Sequence, residues 1–273
     1  MNSRKLMVAT LFLAMFVQGI QAETLQIDGS TTVGPIAEAF AEYFKGIYPD
    51  LEISVKKTGS GDGAKALGDN MCDVAAMSRF MKSVEFTKCA NKGIMPVAHV
   101  VAMDGICIIV HPSNPVKALT TQQVQDIYLG KISNWRQVGG SNLAIVPVSR
   151  DTSSGTYETF HGLVMKKKDI ASKVEYVNAN PQAHARVSGN RGAIAYVGLG
   201  FVDKKVKVLS IDGVVPSKRT IVSGVYPVAR PLFLFTNGYP KLGSMVHRFV
   251  TFHLTEVGQE LVEAKKFVPV TDY

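Results

Sequence analysis

The segment Arg150-Asp151-Thr152-Ser153-Ser154-Gly155-Thr156 sets a fixed positive charge before a run of hydroxyls and a glycine. Tyr157, Phe160, Val164 and Met165 follow at helical spacing, which puts Ser154, Gly155 and Thr156 at or just before a helix N-terminus. Backbone N–H groups lack intrahelical partners there, and the helix dipole favours an anion. Arginine adds a planar fork of donors suited to a tetrahedral oxyanion. An ordinary Ser/Thr N-cap beside a surface arginine has the same local pattern, so this segment alone specifies no site.

Three other segments resemble it in placement. Thr24 to Ile27 reads as a strand, followed by Asp28-Gly29-Ser30-Thr31-Thr32; Pro35 then opens a helix striped by Ile36, Phe40, Tyr43, Phe44 and Ile47. Glu52 to Lys56 alternates as a strand and runs into Thr58-Gly59-Ser60-Gly61-Asp62-Gly63, ahead of a short helix through Ala64 and Leu67. Asp73 to Met77 is an apolar strand ending at Ser78-Arg79, and Ala144 to Val148 is another that ends just before Arg150. Strand, polar loop and helix in repetition predict an α/β layer fold with a largely parallel sheet. Ligands of such sheets bind at the carboxyl ends of the strands. Segments 28–32, 58–63, 78–79 and 150–156 all fall there, offering hydroxyls, glycine N–H groups and two arginines to one anion.

The strand-rich run Val97 to Val110 contains Asp104 in apolar surroundings. Asp-Gly is a common hairpin dipeptide; the same carboxylate would equally serve as an acceptor among the donors. After His111-Pro112-Ser113-Asn114-Pro115 the chain is expected to enter a second lobe. It returns near Tyr226-Pro227 to Arg230-Pro231, ahead of an apolar strand from Leu232 to Phe235. Residues 23–111 and 231–273 would form one lobe, 112–230 the other, with the site in the cleft between them.

A chain of 273 residues has room for two such cores. Its first 22 residues read as a secretory signal: Arg4 and Lys5, an apolar stretch from Leu6 to Val17, and a small residue at Ala22 near the expected cleavage point. The apolar part is short for a membrane span, and the expectation is a soluble protein exported to the periplasm. Cleavage removes two basic residues and no acid, taking the formal charge from +8 to +6. The basic residues are scattered apart from Lys166-Lys167-Lys168, which reads as the solvated end of a helix. Aromatic residues are not interleaved with basic ones as a single-strand groove needs, so nucleic acid is not an expected partner.

Cys72 and Cys89 are a possible disulfide pair in an exported chain, while Cys107 reads as a buried thiol. The dispersed histidines and carboxylates suggest neither a metal nor another cofactor. No G-x-x-x-x-G-K-[ST], G-x-G-x-x-G or G-x-S-x-G occurs. A secreted phosphoester hydrolase would need His161 or His184 brought beside Ser153 or Ser154. A positively charged surface adhesin is a further alternative, recognisable by salt-dependent binding to polyanions. Donors, one acceptor and a closing hinge suffice for binding without chemistry.

These residues resemble the phosphate-binding subunits of ATP-driven uptake transporters, the PstS family, over most of the mature chain. The markers are Gly29 through Pro35, Gly59-Ser60-Gly61, Ser78-Arg79, Ile132-Ser133-Asn134-Trp135 with Gly139-Gly140, the R-x-x-x-S-G-T run Arg150 to Thr156, and Gly192 to Val197. The resemblance implies two α/β lobes closing on one inorganic phosphate, delivery to a membrane permease, a monomer, and no catalysis. Ser30, Thr31, Thr32 and Ser60 would bind from the first lobe, and Arg150, Ser154, Gly155 and Thr156 from the second. Where some members have Ser-Asp, this chain has Ser78-Arg79. The acceptor that separates phosphate from sulfate or molybdate would then be Asp104, with Arg79 either a phosphate ligand or its ion-pair partner.

Overall fold

The computed structural model describes residues 23–271; the expected signal segment lies outside them. The chain opens with β1 (Thr24–Gly29), α1 (Gly34–Ile47), β2 (Glu52–Lys56), α2 (Ser60–Gly68), β3 (Val74–Met77), α3 (Ser83–Ala90) and the long β4 (Pro96–Val110). There follow β5 (Ala118–Leu119), α4 (Thr121–Tyr128), β6 (Val146–Arg150), α5 (Gly155–Leu163), β7 (Glu175–Val177), α6 (Asn180–Gly189) and β8 (Ala193–Gly198). The last part holds β9 (Lys207–Val208), β10 (Ser210–Ile211), α7 (Lys218–Val222), β11 (Ala229–Asn237), α8 (Met245–Thr251) and α9 (Glu256–Ala264). None of the described helices is long and apolar enough to cross a membrane.

One sheet runs through both lobes in the order β2-β1-β3-β11-β4-β8-β6-β7, with β9 also on β4. β1 pairs in parallel with β2 and β3, and β6 in parallel with β7 and β8. β4 joins the halves. It pairs with β11 from Pro96 to Gly105 and with β8 from Ile106 to Val110. No hairpin forms at Asp104-Gly105; the strand runs straight through, and Asp104 stands opposite Arg230 in the β4–β11 register.

Side-chain alternation along these strands divides the interior. In the first lobe Val74, Ala76, Leu232 and Leu234 face α1, α8 and α9, where Phe40, Phe44 and Phe249 are buried. Ala75, Met77, Phe233 and Phe235 face the other way, onto Ala64, Leu67 and Cys89. In the second lobe Ile194 and Tyr196 pack with Tyr128, Trp135 and Phe160, while Ala193, Ala195 and Val197 pack with Val148, Ala183 and Val187. Strands buried on both faces need apolar residues at every position, as β8 and the second half of β4 have. Each fully buried large side chain contributes roughly 1.5–3 kcal/mol. Ile106, Ile108, Val110 and Val228 pack in the second core, and Leu232 in the first.

The single tryptophan is architectural: Trp135 is buried in the second core and donates through Nε1 to Gly192 O at 3.0 Å. Cys107 is the buried thiol expected, whereas the possible Cys72–Cys89 disulfide does not form. Cys72, Cys89 and Cys107 are all free and buried. Cys72 and Cys89 pack as small apolar groups in one core, and burial pushes the Cys72 thiol up to about 12.

Candidate functional site

Two tight turns bring the first lobe's donors to the cleft. Gly29 has φ 132°, and a side chain there would overlap the Ala76 carbonyl; Gly59 has φ 150°. Both lie in the region favourable to glycine. Ser30 then closes the turn before α1, its Oγ accepting from Thr32 N at 3.1 Å and Val33 N at 3.3 Å. Those two N–H groups are therefore spent on Ser30, and the hydroxyls of Thr31 and Thr32 are what this turn presents. Ser60, the first residue of α2, bonds Ser78 through its hydroxyl at 3.3 Å and accepts Ser78 N at 3.0 Å.

The second lobe faces them with α5. Ser154 is its N-cap, accepting from Tyr157 N at 3.2 Å. The N–H groups of Gly155 and Thr156 remain free at the first two helical positions, as helix geometry requires. Arg150 ends β6 and is held from several sides. Its N–H donates to the Tyr196 hydroxyl at 3.1 Å, Nε to Val177 O at 3.2 Å, and Nη2 to Asn178 O at 2.6 Å and Thr31 Oγ1 at 3.3 Å. Tyr196 is itself stacked on Phe160 and bonded to Ser149 at 2.7 Å. The aromatic residue of the Gly192–Val197 run thus positions the arginine.

The lobes meet through these groups. Thr32 and Thr156 hydroxyls lie 3.1 Å apart, and Gly61 N donates to Ser153 O at 2.9 Å. Ser30, Thr31, Thr32, Ser60, Ser78, Asp104, Arg150, Ser154 and Thr156 are all buried around this junction.

Two residues that sequence reading did not place in the site are central to it. Asn180, fully buried at the start of α6, donates through Nδ2 to Thr31 Oγ1 at 3.2 Å and Thr32 Oγ1 at 2.9 Å. Arg230 pairs with Asp104 Oδ2 through Nε (3.1 Å) and Nη2 (2.9 Å), and Nη2 also reaches Thr156 (3.0 Å) and Thr32 (3.3 Å). Asn180-Pro181 after a strand and a charged residue within an apolar strand were the available signals.

Arg79 lies near Gly61 but turns to Glu85, its Nε buried without a hydrogen-bond partner among the described residues. Its guanidinium forms a bidentate ion pair with Glu85 at 2.8 and 2.6 Å and donates to Phe80 O at 3.0 Å. It is neither beside Asp104 nor among the Thr31–Thr32 contacts; Arg230 fills the place considered for it. Glu85, at the third position of α3, captures it locally.

The arrangement is rich in donors and poor in acceptors. Arg150 Nη1 and Arg230 Nη1 are buried without a hydrogen-bond partner among the described residues. Of these two arginines Arg230 alone pairs with Asp104, whose Oδ1 accepts Leu199 N at 2.9 Å. Burial, with Arg230 nearby, pulls the Arg150 guanidinium down from its ordinary range to about 10. Burial also pushes the Asp104 carboxyl above its ordinary range, against the opposing pull of Arg230. Unpaired buried donors cost free energy unless an acceptor arrives, and an oxyanion is the acceptor that answers both charge and donor count. Among the described residues Ser153 Oγ donates to Asp151, His184 pairs with Asp203, and His161 stacks on Tyr157, so neither histidine bonds the serine.

An anion seat between two α/β lobes that share two connecting strands defines a two-lobed solute receptor. The PBP superfamily domain matches residues 18–257. A phosphate-binding protein PstS of Staphylococcus epidermidis is 34% identical over 250 residues, covering 87% of this chain and 76% of its own. Protein SphX of Synechococcus elongatus is 32% identical over 265 residues, covering 92% and 78%. A Clostridium perfringens protein, described as a phosphate ABC transporter substrate-binding protein and solved with bound phosphate, superposes at TM-score 0.83 with 33% identity, covering 91% of this chain and all of its own. The chain belongs to the PstS family of phosphate-binding proteins.

Proposed function

We propose that the protein is an exported, periplasmic receptor that captures inorganic phosphate by closing its two lobes and delivers it to the membrane permease of an ABC transporter. It works as a monomer, without cofactor and without catalysis. The observation that carries this reading is the pair of unpartnered buried guanidinium nitrogens, Arg150 Nη1 and Arg230 Nη1, at the lobe junction. The phosphate binding of its relatives points the same way. Arg150 and Arg230 supply charge; Thr31, Thr32 and Ser60 supply hydroxyl donors, with Asn180 orienting the two threonines; Gly155 and Thr156 supply helix N–H groups. Ser30, Ser78 and Ser154 position them. The anion stabilises the closed state by its differential contacts with both lobes.

Calorimetric titration of the mature, unfolded-and-refolded protein with phosphate, sulfate and molybdate at neutral pH tests this reading. One-to-one binding of phosphate in preference to the other two is expected. Preference for sulfate or molybdate would reassign the cargo, and binding of none would end the receptor reading.

Asp104 is proposed as the selector. Near neutral pH phosphate keeps a proton that a carboxylate accepts, whereas sulfate brings only lone pairs and meets like charge. Asp104→Asn removes that repulsion and leaves Arg230 unneutralised. The ratio of sulfate to phosphate dissociation constants is expected to fall at least about tenfold, like-charge contact costing several kcal/mol. An unchanged ratio in competition titrations would strip Asp104 of this role.

A further inference from the structure

Lys82 and Glu158 stand at the rim of the cleft, outside the seat. Lys82 precedes α3 in the first lobe, and Glu158 lies in the first turn of α5 in the second. Their side chains meet across the junction, Nζ to Oε1, at 2.5 Å, and both are partly exposed.

Each end of this bridge is tied to the seat. On the first lobe, Glu85 accepts Lys82 N at 2.9 Å while both its oxygens hold Arg79. This brace fixes the run from Ser78, whose neighbour Ser60 faces α5, to Lys82. On the second lobe, Glu158 N donates to Ser154 O at 3.1 Å, so the same turn that offers Gly155 and Thr156 N–H groups carries the carboxylate. The Lys82–Glu158 contact occurs with the start of α5 close against Ser60 and Ser78.

We infer that Lys82–Glu158 is a latch: an interlobe ion pair that forms as the seat is completed and slows release of phosphate, with Arg79 and Glu85 as positioning residues for Lys82. This rests on the receptor reading above. Its alternative is a rim ion pair without consequence, which is common for exposed pairs. The sign of one substitution separates the latch from plain through-space electrostatics. Glu158 is a negative charge near an anion seat, so removing it would tighten phosphate binding if only the field mattered. A latch predicts the reverse.

The test uses the mature protein, with inorganic phosphate release followed by stopped flow and affinity by calorimetry, at about 0.02 M and 1 M salt, where the screening length falls severalfold. Glu158→Gln and Lys82→Met are expected to release phosphate about two- to fivefold faster, the range open to a partly exposed pair. Association should change little, and the salt acceleration of release expected of the wild type should be lost. The exchanged pair Lys82→Glu with Glu158→Lys should recover most of the slow release. Wild-type or slower release from Glu158→Gln, or no recovery in the exchanged pair, would overturn the latch alone. A wild type that takes up no phosphate would remove the receptor reading and the latch together.

Discussion

Replacing Arg150 with methionine is expected to weaken phosphate binding by between about thirtyfold and several thousandfold, corresponding to about 2–5 kcal/mol for a buried charged contact. Methionine keeps the apolar stem and loses the charge. Arg150 is nearly inaccessible to solvent, and its Nε and Nη2 are committed to carbonyls at the end of β7 and just beyond it. It is therefore preorganised, with Nη1 left for the ligand. The same burial costs stability. Burial holds its guanidinium below the ordinary arginine range, so the unfolded chain binds that proton more tightly, and the folded protein carries a desolvation penalty wherever the arginine is charged. Thermal unfolding without phosphate should show Arg150→Met as stable as the wild type or more so, despite its loss of binding. A methionine variant that binds phosphate within threefold of wild type (about 0.6 kcal/mol) would remove Arg150 from the seat.

That arginine was legible from sequence because its neighbours are local. The cap at Ser154, the stripe of Phe160, Val164 and Met165, and the strand before it lie within a few residues, and local periodicity reports them. The same holds for the Ser60 helix and for the Pro35 start of α1. What sequence could not reveal depends on contacts between distant residues. Arg230 meets Asp104 across 126 positions and Asn180 meets Thr31 across 149; no spacing rule reaches that far. The Asp104-Gly105 dipeptide has hairpin chemistry, but burial on both faces and pairing to β11 and β8 held the strand straight. Arg79 was drawn into the expected site by its position after a strand. Glu85, three residues after Lys82, was the local sign that a helix start would claim it instead. Charge placement in the fold thus followed the nearest available partner for Arg79 and the topological partner for Asp104.

Gly155→Ala should be nearly as damaging to binding as loss of the arginine, for a reason that involves no charge. A Cβ at Gly155 would stand 2.5 Å from Ser78 Oγ and closer still to Ser60 Oγ, with Ser60 Cβ at 3.1 Å. Neither serine has a free direction to move: both are buried, they bond each other, and Ser60 also holds Ser78 N. The added methyl therefore has to be met by parting the lobes at the start of α5. Displacement of about 1 Å from a preorganised geometry is enough for losses near a hundredfold in catalytic sites, and the donors of this seat depend on the same approach of α5 to α2. Within its own lobe the substitution is harmless. Alanine is a better helix former than glycine, by up to about 1 kcal/mol in an interior position, so unfolding without phosphate should not become easier. Calorimetry is expected to show phosphate affinity reduced about a hundredfold or more. Solution scattering should show the wild type contracting on phosphate addition and the alanine variant failing to contract fully at saturation. Wild-type affinity together with full contraction would mean that Ser60 and Ser78 yield to a methyl group, and that the close approach of α5 is not what completes the seat.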